Sequence, residues 1–218
     1  MQILNEISEA LQTGKSKIVK ELVETALNNG IPAQQILAEG LMAGMDIIAG
    51  KFKNNEVYVP EVLIAARAMN NGTALLKPYL TESGAKPIGK ALLGTVKGDM
   101  HDIGKNLVRM MLEGKGIEVI DLGVDVPAER FVEVFREEKP DIIALSALLT
   151  TTMDEMENVI RTFAEAGLRD EAIFMVGGAP VSEDFRLRIG ADIYAADAAS
   201  AAEAAKKAIL RKKGIDTT

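Results

Sequence analysis

The chain contains a single histidine, His101, and it stands two residues after an aspartate in the run Gly98-Asp-Met-His-Asp-Ile-Gly104. An imidazole can give one ring nitrogen to a metal while donating the other N–H to a carboxylate. That second bond fixes the tautomer and makes the ligating nitrogen more basic. Asp99 is placed for that role. Gly104 lacks a side chain, so something bulky can come close to the backbone there. The run also admits a plainer reading, in which Asp99 or Asp102 caps a helix and His101 faces solvent. One histidine holds a bare metal ion poorly, so a metal bound here should bring most of its own ligands, as a macrocycle does.

Composition narrows the chemistry further. With no cysteine and no second histidine, disulfides, iron–sulfur clusters, a classical zinc site and a cysteine–histidine nucleophile are all excluded. A formal net charge of −7 argues against nucleic acid or an anionic membrane as partner. The basic residues Lys206, Lys207, Arg211, Lys212 and Lys213 cluster where a helix should end, and cations suit that end of the dipole. A content of 48% hydrophobic and 26% charged residues is that of an ordinary globular protein. No N-terminal signal pattern and no apolar run of bilayer length is visible, so the expected location is the cytoplasm.

These residues need elements to hold them, and 218 residues provide for one large domain or two small ones. Residues 1–81 carry helical periodicity: Ile3, Leu4, Ile7 and Leu11; then Ile18, Val19, Leu22, Val23, Ala26 and Leu27; then Ile36, Leu37, Leu41, Met45, Ile48 and Phe52; then Leu63, Ile64, Ala68, Leu75 and Leu76. Asn29-Gly30 stops the second segment, and Pro32 and Pro60 sit where first helical turns tolerate them. Four such helices with short connections predict an antiparallel bundle. Residues 82–89, rich in Gly, Ser and Pro, read as a linker.

Beyond it, in residues 90–218, short apolar runs alternate with helical stretches. Ala91–Val96, Ile117–Leu122, Asp141–Ser146, Ala172–Val176 and Asp192–Tyr194 are predicted strands. Lys105–Gly114, Ala128–Lys139, Met153–Ala166, Ser182–Ile189 and Ser200–Lys212 are predicted helices. Apolar strands alternating with helices imply a parallel, doubly wound Rossmann- or flavodoxin-like sheet, and five strands favour the order 2-1-3-4-5. Ligands of such sheets sit beyond the strand carboxyl ends beside strand one. The loop that follows strand one holds the histidine.

Three motifs in order, each at a predicted strand end, resemble the cobalamin-binding domains that hold the cofactor with a histidine on cobalt: Asp99-Met-His101-Asp-Ile-Gly104, Ser146-Ala-Leu148 and Gly177-Gly178. The resemblance implies that His101 replaces the cofactor's own base beneath the cobalt, with Asp99 accepting its other N–H and the Thr152 hydroxyl completing a relay. It counts Met100, Asp102, Ile103, Gly104, Leu148 and Ala198 among the residues that bind the cofactor. Ser146 and Thr150 would contact the displaced nucleotide tail, which would pass close to the backbone at Gly177 and Gly178. Bland readings of those positions, a Ser/Thr cluster and an ordinary turn, stay open beside it.

The helical half resembles the cap of the same family, through Gly44-Met-Asp-Ile-Ile-Ala-Gly-Lys-Phe52 and Val57-Tyr-Val59-Pro60. Phe52 and Val59 would then cover the reactive face, although Phe52 in a helical stripe also fits a plain core. The whole pattern is similar to the corrinoid proteins of methylamine, methanol and methoxy-aromatic methyl transfer and to the corresponding segment of methionine synthase. The function implied is that of a methyl carrier, not catalytic alone. It would be served by a substrate methyltransferase, an acceptor methyltransferase acting on a thiol or pterin, and a reductive activation protein. The alternatives are the small subunit of an adenosylcobalamin isomerase, which lacks the cap, a B12-dependent sensor, which needs a basic recognition helix, and a signalling domain with no cofactor.

Overall fold

A computed structural model describes residues 2–82 and 86–215, leaving the side chains of 81 and 82 aside. The chain divides into two compact units, Met1–Pro87 with Gly114–Gly116, and Ile88–Glu113 with Ile117–Thr218.

The first unit is helical, as the apolar stripes require. Helix α1 spans Gln2–Gln12, α2 Ser16–Asn28 and α4 Val59–Glu82; α3 runs between them as Ala33–Gln35, Ile36–Met42 and Ala43–Lys53. The stripes become one core: Leu4, Ile7 and Leu11 meet Val19 and Val23, Ile36, Leu41, Met45 and Ile48, and Val62, Met69 and Leu76, all buried. Two details depart from the expected pattern. The Ile36–Met42 stretch of α3 is π-helical, and α4 continues past Pro78 to Glu82, the first residue of the expected linker. Residues 83–85 of that linker lie outside the described set.

In the second unit, strands β1 (Gly89–Thr95), β2 (Ile117–Asp121), β3 (Ile142–Ser146), β4 (Ile173–Gly177) and β5 (Ile193–Tyr194) alternate with helices α5 (Ile103–Gly114), α6 (Ala128–Glu138), α7 (Asp154–Glu165), α8 (Glu183–Ile189) and α9 (Ala198–Lys212). The sheet is parallel throughout, in the order β2-β1-β3-β4-β5. Burial on both faces explains why its strands read as apolar runs rather than as alternation. Leu92, Ile143, Leu145, Phe174 and Val176 pack with α6 and α7, where Phe135, Phe163 and Phe174 meet edge to face at centroid distances of 5.2 and 5.1 Å. The intervening residues Ala91, Leu93, Ile142, Ala144 and Met175 are buried too, on the opposite face.

Candidate corrinoid site

Register decides what the strands present at their carboxyl ends. Thr95 pairs with Ser146, and Ser146 with Gly177, so the loops carrying the three sequence motifs leave the sheet side by side. The order in which strands are added reverses between β1 and β3, where a doubly wound sheet opens its crevice.

Asp99 lies at the bottom of that crevice, its side chain wholly buried. One carboxylate oxygen, Oδ1, accepts the His101 backbone N–H at 3.1 Å and stands 2.7 Å from His101 Nδ1. The other, Oδ2, accepts the backbone N–H of Leu148 at 2.7 Å, that of Leu149 at 3.1 Å and the Thr152 hydroxyl at 2.8 Å. Burial alone would push the Asp99 pKa up. Donation from the Leu148 and His101 amides, the His101 ring and the Thr152 hydroxyl outweighs it and holds the carboxyl well below the ordinary carboxylate range. An ionised carboxylate only accepts, so Nδ1 must carry a proton, and in the neutral ring Nε2 keeps its lone pair. The imidazole is half exposed. Asp99 does not cap α5, which already begins at Ile103, and Asp102 accepts the Asn106 side chain at 3.0 Å. The capping alternative for Asp99 is thereby set aside.

Around the ring the surface is unusually apolar. Met100, Ile103, Leu148 and Leu149 are all exposed, and Gly104 has open space where a side chain would stand. Exposed apolar side chains around a presented lone pair suit a flat, largely hydrophobic metal macrocycle. Among the described residues no group of His, Asp and Glu large enough to hold a bare metal ion comes together.

The remaining sequence-chosen residues fall at the neighbouring strand ends. Ser146 is half-buried at the tip of β3, Thr150 is exposed, Gly177 closes β4, and Ala198 is buried at the start of α9. Gly178 is required by the fold itself: it has φ +130°, and a Cβ there would lie 1.9 Å from the Ala147 carbonyl oxygen. At Gly177 the nearest contact would be an unstrained 3.4 Å. Phe52 and Val59 are half-buried in the helical unit.

Sequence reasoning missed other members of the site. Thr95, buried at the end of β1, donates its hydroxyl to the His101 carbonyl at 2.9 Å. Lys105, 3% exposed, meets Asp121 at 2.6 Å. A lysine in the first turn of a helix otherwise reads as a solvated charge. The Leu148 and Leu149 amides carry no sequence signal.

Comparison with known proteins gives the family. A family model described as B12 binding domain matches residues 89–206, and a second with the same description matches residues 3–77. The chain belongs to the B12-binding family. The trimethylamine corrinoid protein of Methanosarcina barkeri is 40% identical over 210 residues, covering 95% of this chain and 97% of that one. Dimethylamine corrinoid protein 2 of Methanosarcina acetivorans is 41% identical over 214 residues, covering 97% and 98%. Among solved structures, the methanol:cobalamin methyltransferase complex MtaBC of M. barkeri matches with a TM-score of 0.85 and 31% identity, over 99% of this chain and 86% of that one. Membership of the B12-binding family sets the ligand class, a corrinoid. No described helix is long and apolar enough to cross a membrane.

Proposed function

We propose that the protein carries a methyl group on the cobalt of a bound corrinoid between two methyltransferases, with His101 as the axial ligand below the metal and the cofactor's own base displaced. The observation that carries this reading is the Nδ1–Asp99 bond, which leaves Nε2 as the free ligating nitrogen. When bound, the corrinoid supplies a cobalt centre able to accept and release a methyl group.

The protein's part is to hold and tune. Asp99 keeps the ring in the Nδ1–H tautomer and raises its basicity. Thr152 steadies Oδ2, and its hydroxyl lies 2.9 Å from the Leu149 carbonyl as well, an alternative acceptor should Asp99 take up a proton. Met100, Ile103, Gly104 and Leu148 would seat the macrocycle, with Asp102 at its rim. Ser146, Thr150, Gly177, Gly178 and Ala198 would line the tail pocket. We read residues 1–81 as the cap, with Phe52 and Val59 as its contacts, 82–89 as the linker and 90–218 as the corrinoid-binding domain. The relatives named for trimethylamine and dimethylamine, and the methanol:cobalamin methyltransferase complex, point to a methylamine- or methanol-type methyltransferase as donor partner. An acceptor methyltransferase and a reductive activation protein complete the set.

The test is single-turnover transfer. Reconstituted protein, reduced and mixed with a methylamine or methanol methyltransferase and its substrate, should demethylate about one substrate per corrinoid and pass the methyl to a thiol only when an acceptor methyltransferase is added. No substrate loss with any such enzyme, despite a full load of corrinoid, would sink the carrier reading.

A further inference from the structure

The loop bearing Asp99 and His101 is gripped by a segment that carries none of the three motifs. Beyond β2, the Asp125 backbone N–H donates to the Asp99 carbonyl at 2.9 Å, and Asp125 Oδ1 accepts the Gly98 backbone N–H at 2.6 Å. Both bonds fall on the residues leading into the buried carboxylate. Asp125 is held at φ +53° and Gly98 at φ +80°. An aspartate tolerates that left-handed region better than most residues, yet still at a cost.

The start of the same segment is anchored. Asp121 receives the buried Lys105 ammonium at 2.6 Å on each oxygen, and its Oδ1 also accepts the Gly123 N–H at 2.9 Å. Lys105 stands four residues after His101, in the first turn of α5. Thr95 donates its N–H to the Gly123 carbonyl at 3.0 Å and accepts the Val126 N–H at 3.0 Å. One short segment therefore holds the chain before Asp99 and the helix after His101.

We propose that Asp121–Asp125 is a brace for the axial-ligand loop, in which Asp125 is a positioning residue that fixes the His101 tautomer through Asp99. It rests on the reading of His101 as the cobalt ligand. The plain alternative is an exposed turn aspartate whose bonds only close a loop.

Because the chain has one histidine, ¹⁵N-labelled imidazole gives a tautomer ratio with no assignment problem. The cofactor-free full chain is compared as wild type, Asp125→Asn and Asp125→Gly, at a pH where the ring is neutral, with melting curves alongside. Asparagine keeps both the acceptor and the tolerance of positive φ, whereas glycine keeps only the latter. The brace predicts an Nδ1–H ring in the wild type and in Asp125→Asn. In Asp125→Gly the Nε2–H form should rise about fivefold, as coupling within one hydrogen-bond network allows. A wild-type ratio in Asp125→Gly overturns it. Corrinoid spectra of wild type and His101→Ala test the underlying reading separately: if they coincide, the ligand assignment fails while the tautomer ratio still decides the brace.

Discussion

Replacing Asp99 by asparagine changes almost no volume and reverses one donor–acceptor relation. Oδ2 accepts from Leu148, Leu149 and Thr152, so those donors will keep the amide oxygen on their side. The new NH₂ then faces the His101 backbone N–H and Nδ1, which were donors to Oδ1. The ring must move its proton to Nε2 to let Nδ1 accept, and a protonated Nε2 cannot ligate a metal. One buried N–H is left unpaired, costing about 1–3 kcal/mol, and charge-assisted bonds are lost. Together they should lower stability by roughly 2–4 kcal/mol at neutral pH, a fall in Tm of roughly 5–15 °C.

The pH dependence has a definite sign. The folded-state pKa of Asp99 lies below its ordinary value of 3.8, so the carboxylate's contribution is complete above that value and lost as pH falls through the folded one. The carboxylate's contribution to the gap between wild type and Asp99→Asn should be complete above about pH 4 and shrink below it. Circular-dichroism melts of the cofactor-free proteins measure it, and corrinoid spectra report the lost ligand. A variant that melts with the wild type at neutral pH, or a gap that widens below about pH 4, refutes the reasoning.

Other substitutions separate ligand roles from fold roles. Thr152→Val should cost about 1 kcal/mol and raise the histidine-off fraction of reconstituted protein, while Thr152→Ser stays near wild type; equal losses would assign Thr152 to packing. Gly178→Ala, with its Cβ driven into the Ala147 carbonyl, should destabilise the cofactor-free protein by about 3 kcal/mol or more. Gly177→Ala and Gly104→Ala should melt close to wild type yet take up corrinoid less tightly, which a titration followed by absorbance will show. In urea unfolding, Asp121→Ala leaves the buried Lys105 ammonium with no carboxylate and only the Asn106 amide oxygen, and should lose about 3 kcal/mol. Lys105→Met should lose less, since Asp121 keeps the Gly123 amide and some water.

Much of this site is written in local pattern. Apolar stripes at helical spacing gave the bundle, and two-face-buried strands gave the sheet and its order. That order in turn brought Asp99, Ser146 and Gly177 to adjacent strand ends. The π-helical stretch was not legible, because Ile36, Leu37, Leu41 and Met45 fit a regular helix equally well. There the register answers to tertiary packing, with Gly40 against Ile7 and Gly44 against the Ser8 backbone. Backbone donors are equally silent: any residue at positions 148 and 149 offers the same N–H to Asp99. Asp125 and Lys105 carry no sequence signal of their role, since pairs such as Lys105 with Asp121 are set by sheet order rather than by any sequence period.

The proposed methyl-carrier function needs a bond from His101 Nε2 to cobalt. Electron paramagnetic resonance of the reconstituted protein in its paramagnetic reduced form reads it directly, because an axial nitrogen splits each cobalt line by its nuclear spin. With protein grown on ¹⁵N-histidine and unlabelled corrinoid, the triplet of an axial ¹⁴N should become a doublet, since His101 is the only histidine. A triplet that survives the label means the cofactor's own base still sits under the metal, and contradicts the assignment.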